Sequence, residues 1–517
     1  MSDSDFFPFQ TGRDSCSDGF LGMLISRFNL NISKAWNDRQ IAIHIYQLVY
    51  SGRLYDNLKP WFSEYSGNKY IPLNKRRPCI NYPIPKIIVN ESVGMLFGDN
   101  HFPTVRCEDL KTEEFLQSVE RLSNIKSAMI LAAKCGSVGS ACVIIKVLDA
   151  KFYIDVLDTL NLFPVFDRFN PSRLKELTER VPIRGFELLY AGHKIENEEK
   201  NKNKLFWLVR KWTLTEEIYF LPEIAEEGWE DRLTIDKERS TVHGFGFLPA
   251  VWIKNMPTFS NLIDGECTFS AAIDLCIESD YQMSQLSRLL RYSSDPTMVI
   301  KDSSMMEGEQ LVKGSGVLNL AEDGEAYLLE MNGKSSSAVL EFVRVIRQFA
   351  MESVRGNRAN PEKISALNSG KALQMLNEPL ISLASELRTT YGDGGLLEIY
   401  KIMLNICKVS TMEISDVYGE VGNIDESINT ITLDWPSWYQ DTPLDTLQEA
   451  QALSASIQGK FLSKETAVKS IAEKYNVSDV KKELTLIDGD GIDSEGSGNE
   501  VGTEFPEDVD HPQEAEK

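Results

Sequence analysis

Short glycine-containing sequences are the first places to look for phosphate chemistry in this chain of 517 residues. Gly136-Ser-Val-Gly-Ser-Ala lies between a predicted helix and a predicted strand but lacks the G-x-G-x-x-G spacing of a dinucleotide-binding turn. Asn332-Gly-Lys-Ser and Ser369-Gly-Lys-Ala resemble the ends of phosphate-binding loops, yet Leu328 and Ser365 occupy the positions of the required upstream glycine. The first motif is therefore interpreted as a tight turn with close packing, and neither of the others is a Walker A sequence.

Histidines and cysteines are present, but their spacing is not that of a known catalytic or metal site. His44 lies near an apolar helix face, and His193 and His243 lie in polar turns without a Ser or Cys partner in a catalytic pattern. The 8 cysteines form no C-x-x-C pair, and the chain has only 5 histidines. This composition argues against a structural zinc site and indicates buried free thiols.

Carboxylate pairs offer the other route to metal chemistry. Asp264 with Glu266, and Asp274 with Glu278, come without a third and fourth ligand at a suitable spacing. The sequence therefore predicts no catalytic residue, no cofactor-binding residue and no metal ligand.

Two long helices dominate the middle of the chain. From Cys267 to Tyr292 apolar residues recur every seven positions without an intervening Pro or Gly, which predicts a helix with one apolar stripe. A second helix is predicted from Ser336 to Val354, and the two can pack as an antiparallel pair. The side chains expected to make this packing are Phe269, Met283, Leu286, Phe342 and Ile346. The acidic side chains expected on the solvated side of the first helix are Asp274, Glu278 and Asp280.

The flanking segments mix helices and strands, so the predicted fold class is α+β. Helices are predicted at Asn37 to Tyr55, Ile84 to Phe97, Glu113 to Lys134, Gly370 to Leu387, Leu396 to Cys407, Asp445 to Ile457 and Ser463 to Tyr475. Strands are predicted within Ala141 to Phe166 and at Gly185 to Tyr190, Leu205 to Leu214, Glu217 to Leu221, Ala250 to Lys254 and Thr430 to Trp435. A glycine-rich break is predicted at Gly392 to Gly395.

The formal net charge of −23 argues against binding of nucleic acid through a basic surface. It does not exclude DNA as a molecule that the protein lets pass. The acidic stretch from Asp488 to Lys517 has almost no apolar residues and is predicted to be disordered. The sequence contains no apolar run of transmembrane length, and its acidic, polar start does not resemble a signal peptide, so a cytosolic protein is expected.

Several segments resemble the portal proteins of tailed bacteriophages, in particular the siphophage class. The order of the segments carries the resemblance better than any single motif. These segments are Asn81 to Asn100, Lys134 to Val147, Phe152 to Asp167, Leu248 to Asn255, and the stretch Gly370 to Leu380 that begins the helix after a polar loop.

The resemblance implies a portal-type fold with an α/β wing, a long helical stem, a small strand-containing clip and a C-terminal helical crown. The implied divisions are an N-terminal arm 1–36, wing 37–262, first stem helix 263–295, clip 296–334, second stem helix 335–354, tunnel loop 355–369, returning wing 370–440, crown 441–487 and disordered acidic tail 488–517.

The resemblance also implies a homo-oligomeric, dodecameric ring at one capsid vertex of the virion, assembled in the bacterial host cytoplasm. Such a ring is the channel for packaging and ejection of double-stranded DNA, with no cofactor, no catalysis and no membrane contact. The implied partners are terminase, the major capsid and scaffolding proteins, a head-completion or adaptor protein, and the DNA that passes through.

Three sets of site residues follow from the same resemblance. The polar, basic loop after the second stem helix is expected to contact the DNA backbone, because flexible loops with point charges give sequence-independent phosphate contacts. Its residues are Arg355, Asn357, Arg358, Asn360, Lys363 and Lys371. The expected acidic channel lining is Asp274, Glu278 and Asp280, and the expected docking surface of the clip is Ser303, Ser304, Met305, Met306 and Glu307.

Two alternatives share this composition. One is another cytosolic oligomeric assembly or adaptor protein with long helices. The other is a metal-dependent nucleic-acid enzyme, although the carboxylates are poorly spaced for one.

Overall fold

The computed structural model describes residues 37–56, 65–66, 69–70, 78–171, 173–193, 195, 197–226, 228–258, 263–294, 297–301, 325–329, 334–355, 374–375, 377–409, 414–438, 443–471, 482 and 484–486. These residues fall into two compact units. The first lies within 1–366 and 374–438, and the second contains the chain from 439 onward together with 367–373.

Helices and strands alternate through the first unit, so the α+β class is confirmed. Its helices are α1 (Asp38–Ser51), α2 (Ile84–Phe97), α3 (Leu110–Leu122), α4 (Ile125–Gly136), α5 (Gly185–Tyr190), α6 (Glu198–Asn201), α7 (Ile273–Ser294), α8 (Lys334–Ser353), α9 (Glu378–Leu387), α10 (Leu397–Val409), α11 (Ser415–Tyr418) and α12 (Ile424–Thr430). Its strands are β1 (Tyr65–Ser66), β2 (Lys69–Tyr70), β3 (Thr104–Arg106), β4 (Ser140–Leu148), β5 (Lys151–Leu157), β6 (Leu162–Phe166), β7 (Leu174–Arg184), β8 (Leu205–Trp212), β9 (Glu216–Phe220), β10 (Glu223–Ile224), β11 (Ile235–Val242), β12 (Ala250–Lys254), β13 (Thr297–Lys301), β14 (Glu325–Leu329) and β15 (Thr432–Asp434).

Helix α1 begins at a polar cap. The Asn37 side-chain oxygen accepts the Gln40 backbone N–H at 2.9 Å, and the Gln40 side-chain oxygen accepts the Asn37 N–H at 3.2 Å. This reciprocal pair satisfies backbone donors that the helix itself leaves unpaired. The cap places Arg39 in the first turn of α1. From there the Arg39 side chain contacts core residues that are distant in sequence.

The main core is built around strand β4, which lies between β12 and β5 in an antiparallel sheet. Ile144 pairs with Ala250 on one side and with Asp155 on the other. The first six residues of β4 are buried, which requires cover on both faces of the sheet. Helices α2, α4, α9 and α10 supply side chains to the larger apolar cluster, including Val89, Met129, Leu383 and Met403.

A second, six-stranded antiparallel sheet has the order β11-β9-β8-β7-β6, with β10 paired to β8. Its smaller core contains Leu177 and Trp212 from this sheet together with Cys142 and Ile144 from β4. Cys142 and Ile144 lie on one face of β4, whereas Val143 and Ile145 on its other face belong to the main core, so β4 contributes to both cores.

Three sequence predictions about this unit are wrong. Gly185–Tyr190 is a helix and not a strand, because Leu188 packs inward while the Glu187 carboxylate accepts the Arg184 N–H at the helix start. The predicted helix Glu113 to Lys134 is two helices, since Asn124 has a left-handed φ of 53° that a helix cannot continue through.

The third error concerns the predicted glycine-rich break. Gly392 and Gly395 lie inside a π-helix, Arg388–Leu396, that joins α9 to α10. A Cβ atom at Gly392 would lie 2.5 Å from the Trp435 ring, and one at Gly395 would lie 2.7 Å from Ile253. These glycines are therefore present because the helix packs closely against its neighbours.

In the second unit the described chain forms α13 (Pro443–Gln458) and α14 (Lys464–Ile471). Ala467 is its most deeply buried described side chain, at 4% exposed. No described helix of either unit combines the length and the apolar character that crossing a membrane requires.

Candidate functional site

The two long helices, α7 and α8, pack against each other. The C-terminal end of α8 lies beside the 3-10 turn Ser270–Ala272 at the start of α7, so the helices run antiparallel. Strands β13 and β14, which adjoin their other ends, form an antiparallel ladder in which Val299 pairs with Tyr327. The predicted bounds of the two helices agree with the observed bounds to within two helical turns.

The side chains predicted to pack these helices differ in burial. Phe269, Leu286 and Ile346 are buried, at 0%, 5% and 4% exposed. Met283 is partly buried, whereas Phe342 is 49% exposed. The buried side of α8 runs through Ile346, Ala350 and Met351 and continues at Val354 just after the helix. The buried stripe is therefore rotated away from the predicted Phe342, and also from Phe349.

The predicted acidic face of α7 is correct in part. Asp274 and Glu278 are exposed and one helical turn apart. Asp280 is only 3% exposed, and its carboxylate accepts the Tyr55 hydroxyl at 2.9 Å and the Tyr82 N–H at 2.8 Å. The assignment of Asp280 to a channel lining is therefore wrong for this chain, since its side chain points into the protein.

A buried ion pair connects the segment that precedes α7 to the core. The Asp264 carboxylate accepts both Arg39 Nε at 2.6 Å and Arg39 Nη2 at 2.9 Å, and the Ser140 hydroxyl donates to it at 2.5 Å. Arg39 also donates to the carbonyls of Thr159 and Leu162. A bidentate pair with further hydrogen bonds to each partner fixes geometry strongly.

The Gly139 turn forms the second attachment of the same segment. The Gly139 carbonyl accepts N–H groups from both Asn255 and Gly265, at 2.9 Å each, and the Ser137 carbonyl accepts the Thr268 N–H at 2.9 Å. Gly139 has a φ of 150°, a conformation for which glycine is suited. This motif is thus used for internal packing, as its sequence interpretation predicted.

Asn255 is a residue whose role the sequence did not reveal. It is 1% exposed, and its amide donates to the Glu266 carbonyl at 2.7 Å and to the Thr268 hydroxyl at 2.8 Å. Its carbonyl oxygen accepts the Tyr391 hydroxyl at 3.1 Å. Asn255 therefore connects β12, the start of α7 and the π-helix.

Arg355, the first residue of the predicted DNA-contacting loop, is already engaged within the chain. Its backbone has a left-handed φ of 55°, and its guanidinium donates to the Glu386 carboxylate on α9 at 2.9 Å. The pair lines a cleft of ≈ 200 Å³, between the end of α8 and the start of α7, that also contains Glu266 and Leu383. The remaining predicted loop residues, Asn357, Arg358, Asn360, Lys363 and Lys371, lie outside the described residues.

The predicted docking residues of the clip, Ser303, Ser304, Met305, Met306 and Glu307, also lie outside the described residues. So do the predicted arm 1–36 and the tail 488–517.

An Arg-aromatic cluster near the end of the first unit is a further feature that the sequence did not reveal. The Arg388 guanidinium lies 4.6 Å from the Trp435 ring centre and 3.3 Å from that of Trp438, and it donates to the Pro436 carbonyl. Burial lowers the pKa of Arg388 to about 10. His101 completes the cluster through a ring-nitrogen contact of 3.0 Å with the Trp438 carbonyl.

The metal-ligating, thiol and imidazole side chains in the described part of the chain are not arranged as in an active site. No group of three or more His, Cys, Asp or Glu side chains there is placed to hold a metal ion. Burial raises the pKa of the Cys276 and Cys407 thiols to about 12, which disfavours the reactive thiolate. Burial lowers the pKa of His44 and His243, in keeping with structural histidines.

Comparison with known proteins gives one informative result. The family model described as phage portal protein, SPP1 Gp6-like, matches residues 51–494. No curated protein matches the chain. The matched family is structural rather than enzymatic, and its members assemble as oligomeric rings in the phage head.

The match covers both sheets, both long helices and the two helices of the second unit, and thus far more than half of the chain. The protein belongs to the SPP1 Gp6-like family of phage portal proteins.

Proposed function

We propose that twelve copies of this chain form a ring at one vertex of the phage capsid, with α7 and α8 as the stem around a channel for DNA. Membership of the portal family carries this proposal. The same assignment makes the segment between α7 and α8 the clip, the segment after α8 the tunnel loop and the second unit the crown.

The exposed apolar flank of α8 supports the ring. Phe342 and Phe349 are seven residues apart, on the same side of the helix, and are 49% and 52% exposed. They lie beside, and not within, the face that Ile346 and Ala350 pack against the rest of the chain. A lateral flank of this kind suits contact with α7 of a neighbouring copy, where Leu290 is 50% exposed.

The negative charge on α7 supports the proposal that the stem lets DNA pass and does not bind it. Asp274 and Glu278 project from one side of α7 without an ion-pair partner among the described residues. Repeated around a ring, these carboxylates form an anionic wall that repels phosphate. DNA then moves along the channel without adhering to the stem.

Replacing Phe342 with Asp is expected to abolish the ring without unfolding the subunit. The new carboxylate would lie at a subunit contact without a partner, and burial of an unpaired charge is strongly unfavourable. Because Phe342 is half exposed in the single chain, the circular dichroism spectrum should stay that of the wild type. The oligomer mass is measured by light scattering, and the symmetry of the rings by electron microscopy.

Phe169→Asp is the matched control, because Phe169 is 95% exposed and lies in the turn after β6. It should form normal rings. An unchanged oligomer mass in Phe342→Asp, or wild-type protein without closed rings, would favour a different assembly protein.

The tunnel loop is proposed to touch DNA through Arg358 and Lys363 rather than through Arg355, because Arg355 pairs with Glu386. Replacing Arg358 and Lys363 together with Ala should leave rings intact and lower the retention of packaged DNA, since about two phosphate contacts per subunit are lost. Packaged DNA is measured by gel after nuclease treatment of the particles. Wild-type length and retention would mean that the loop is an ordinary connector.

The family role also implies the partners. We infer that terminase and later a head-completion or adaptor protein dock on the clip, at Ser303 to Glu307, while the major capsid and scaffolding proteins meet the outer surface. The wing, with its two joined sheets, is the proposed part of the ring that spreads outward from the stem.

A further inference from the structure

A buried carboxylate on α7 holds two segments that are distant in sequence. Asp280 accepts the hydroxyl of Tyr55, which follows α1, and the backbone N–H of Tyr82, which precedes α2. The hydrogen-bonding distances are 2.9 and 2.8 Å, and Asp280 is 3% exposed. One side chain therefore fixes the chain where it leaves α1 and where it enters α2.

Ser284 extends this attachment by one helical turn. Its Oγ accepts the backbone N–H of Cys79 at 3.0 Å and that of Ile80 at 3.1 Å. The Ser284 hydroxyl donates to the Asp280 carbonyl at 2.6 Å, and the residue is 1% exposed. The strap, defined as residues 79–82, is thus bound to α7 by two neighbouring side chains.

The surroundings of Asp280 do not favour a charge. Both of its hydrogen-bond donors in the described part of the chain are neutral groups, and none of the ion pairs there includes Asp280. The other titratable groups near it are Cys276 and Tyr281 on α7, and the Arg347 guanidinium on α8 lies 5.4 Å from the Tyr82 ring centre. Burial raises the pKa of Asp280 to about 7, although its two hydrogen bonds act in the opposite direction.

We propose that Asp280 is a proton-linked latch between α7 and the strap, which holds more tightly when its carboxyl group is protonated. A protonated carboxyl still accepts the Tyr82 N–H on one oxygen and can donate to the Tyr55 hydroxyl from the other. An ionised carboxylate in the same place gains by opening, because opening restores its hydration.

The direction of the pH effect follows from the raised pKa. An exposed Asp has a pKa of about 3.9, so between about pH 4 and pH 7 the closed latch binds more protons than the open one. The latch is then strongest at the acidic end of that window and weakens as the pH rises to about 7. This property goes beyond the proposed portal role and does not depend on it.

Hydrogen exchange of the strap amides in the full-length protein tests the latch. After correction for intrinsic exchange, opening at pH 6 should be about tenfold rarer than at pH 8, because a closed-state pKa near 7 gives that ratio. Asp280→Asn keeps both hydrogen bonds without a titrating group, and its opening should not depend on pH. Asp274→Asn, an exposed acid on the same helix, should retain the wild-type ratio.

A wild-type ratio below twofold, or an undiminished ratio in Asp280→Asn, would overturn the proposal. Tyr55→Phe provides a second test if Asp280→Asn does not fold. Loss of the hydroxyl removes a donor that favours the ionised carboxylate, so the midpoint of the exchange profile should move to higher pH. An unmoved midpoint in Tyr55→Phe would also contradict the latch.

Discussion

Replacement of Asp264 with Ala is expected to lower the free energy of unfolding of the first unit by about 3–5 kcal/mol, the usual effect of breaking a buried ion pair from one side. The change leaves the Arg39 guanidinium, whose side chain is 16% exposed, without its carboxylate partner. It also removes the acceptor of the buried Ser140 hydroxyl. Urea unfolding followed by circular dichroism measures the loss.

Asp274→Ala removes the same group from an exposed position on α7 and should change the free energy of unfolding by less than about 0.5 kcal/mol. If Asp264→Ala were as mild as this control, the ion pair would not hold the start of α7. Both variants are compared at equal oligomer mass, since ring formation itself adds stability.

Phe269→Ala is expected to lower the free energy of unfolding by about 3–5 kcal/mol through the cavity that it leaves. Phe269 is fully buried at the start of α7, and its ring lies edge-on to Tyr46 of α1 with 6.3 Å between the ring centres. Because α1 and α7 both lose contacts, unfolding should remain a single transition at lower urea concentration. Chemical denaturation at two protein concentrations separates this effect from ring dissociation.

Phe169→Ala is the matched control for this cavity. The side chain is 95% exposed, so its removal should hardly change the unfolding midpoint. Equal midpoints for Phe269→Ala and Phe169→Ala would contradict the burial assigned to Phe269.

The long helices could be predicted because their signal is local. Apolar periodicity without Pro or Gly predicts α7 and α8 to within a few residues at most boundaries, and a short apolar run predicts β12 with its observed bounds, Ala250 to Lys254. Which side of a helix is buried depends on the elements that pack against it. The apolar pattern of α8 alone does not identify its buried side. Phe342 and Ile346 lie on adjacent sides of α8, and only the packing distinguishes the exposed one from the buried one.

Asp280 shows why the roles of individual site residues are harder to predict than helices and strands. Its partners Tyr82 and Tyr55 are 198 and 225 positions away in sequence, and neither segment carries a motif that points to a carboxylate. Asp274 and Glu278, with the same charge on the same helix, are exposed. Composition alone cannot separate the three acids, because the difference arises from long-range contacts.

The Gly139 carbonyl accepts two N–H groups, and this arrangement affects how the protein resists a pulling force. The bonds from Asn255 and Gly265 to this one oxygen, the bond from Thr268 to Ser137, and the Asp264–Arg39 pair all join the segment before α7 to the core. A force that pulls α7 away from the core therefore loads them together. Bonds loaded in parallel share the tension and yield at a higher force than bonds broken one after another, so this junction resists traction better than the strength of any one contact indicates.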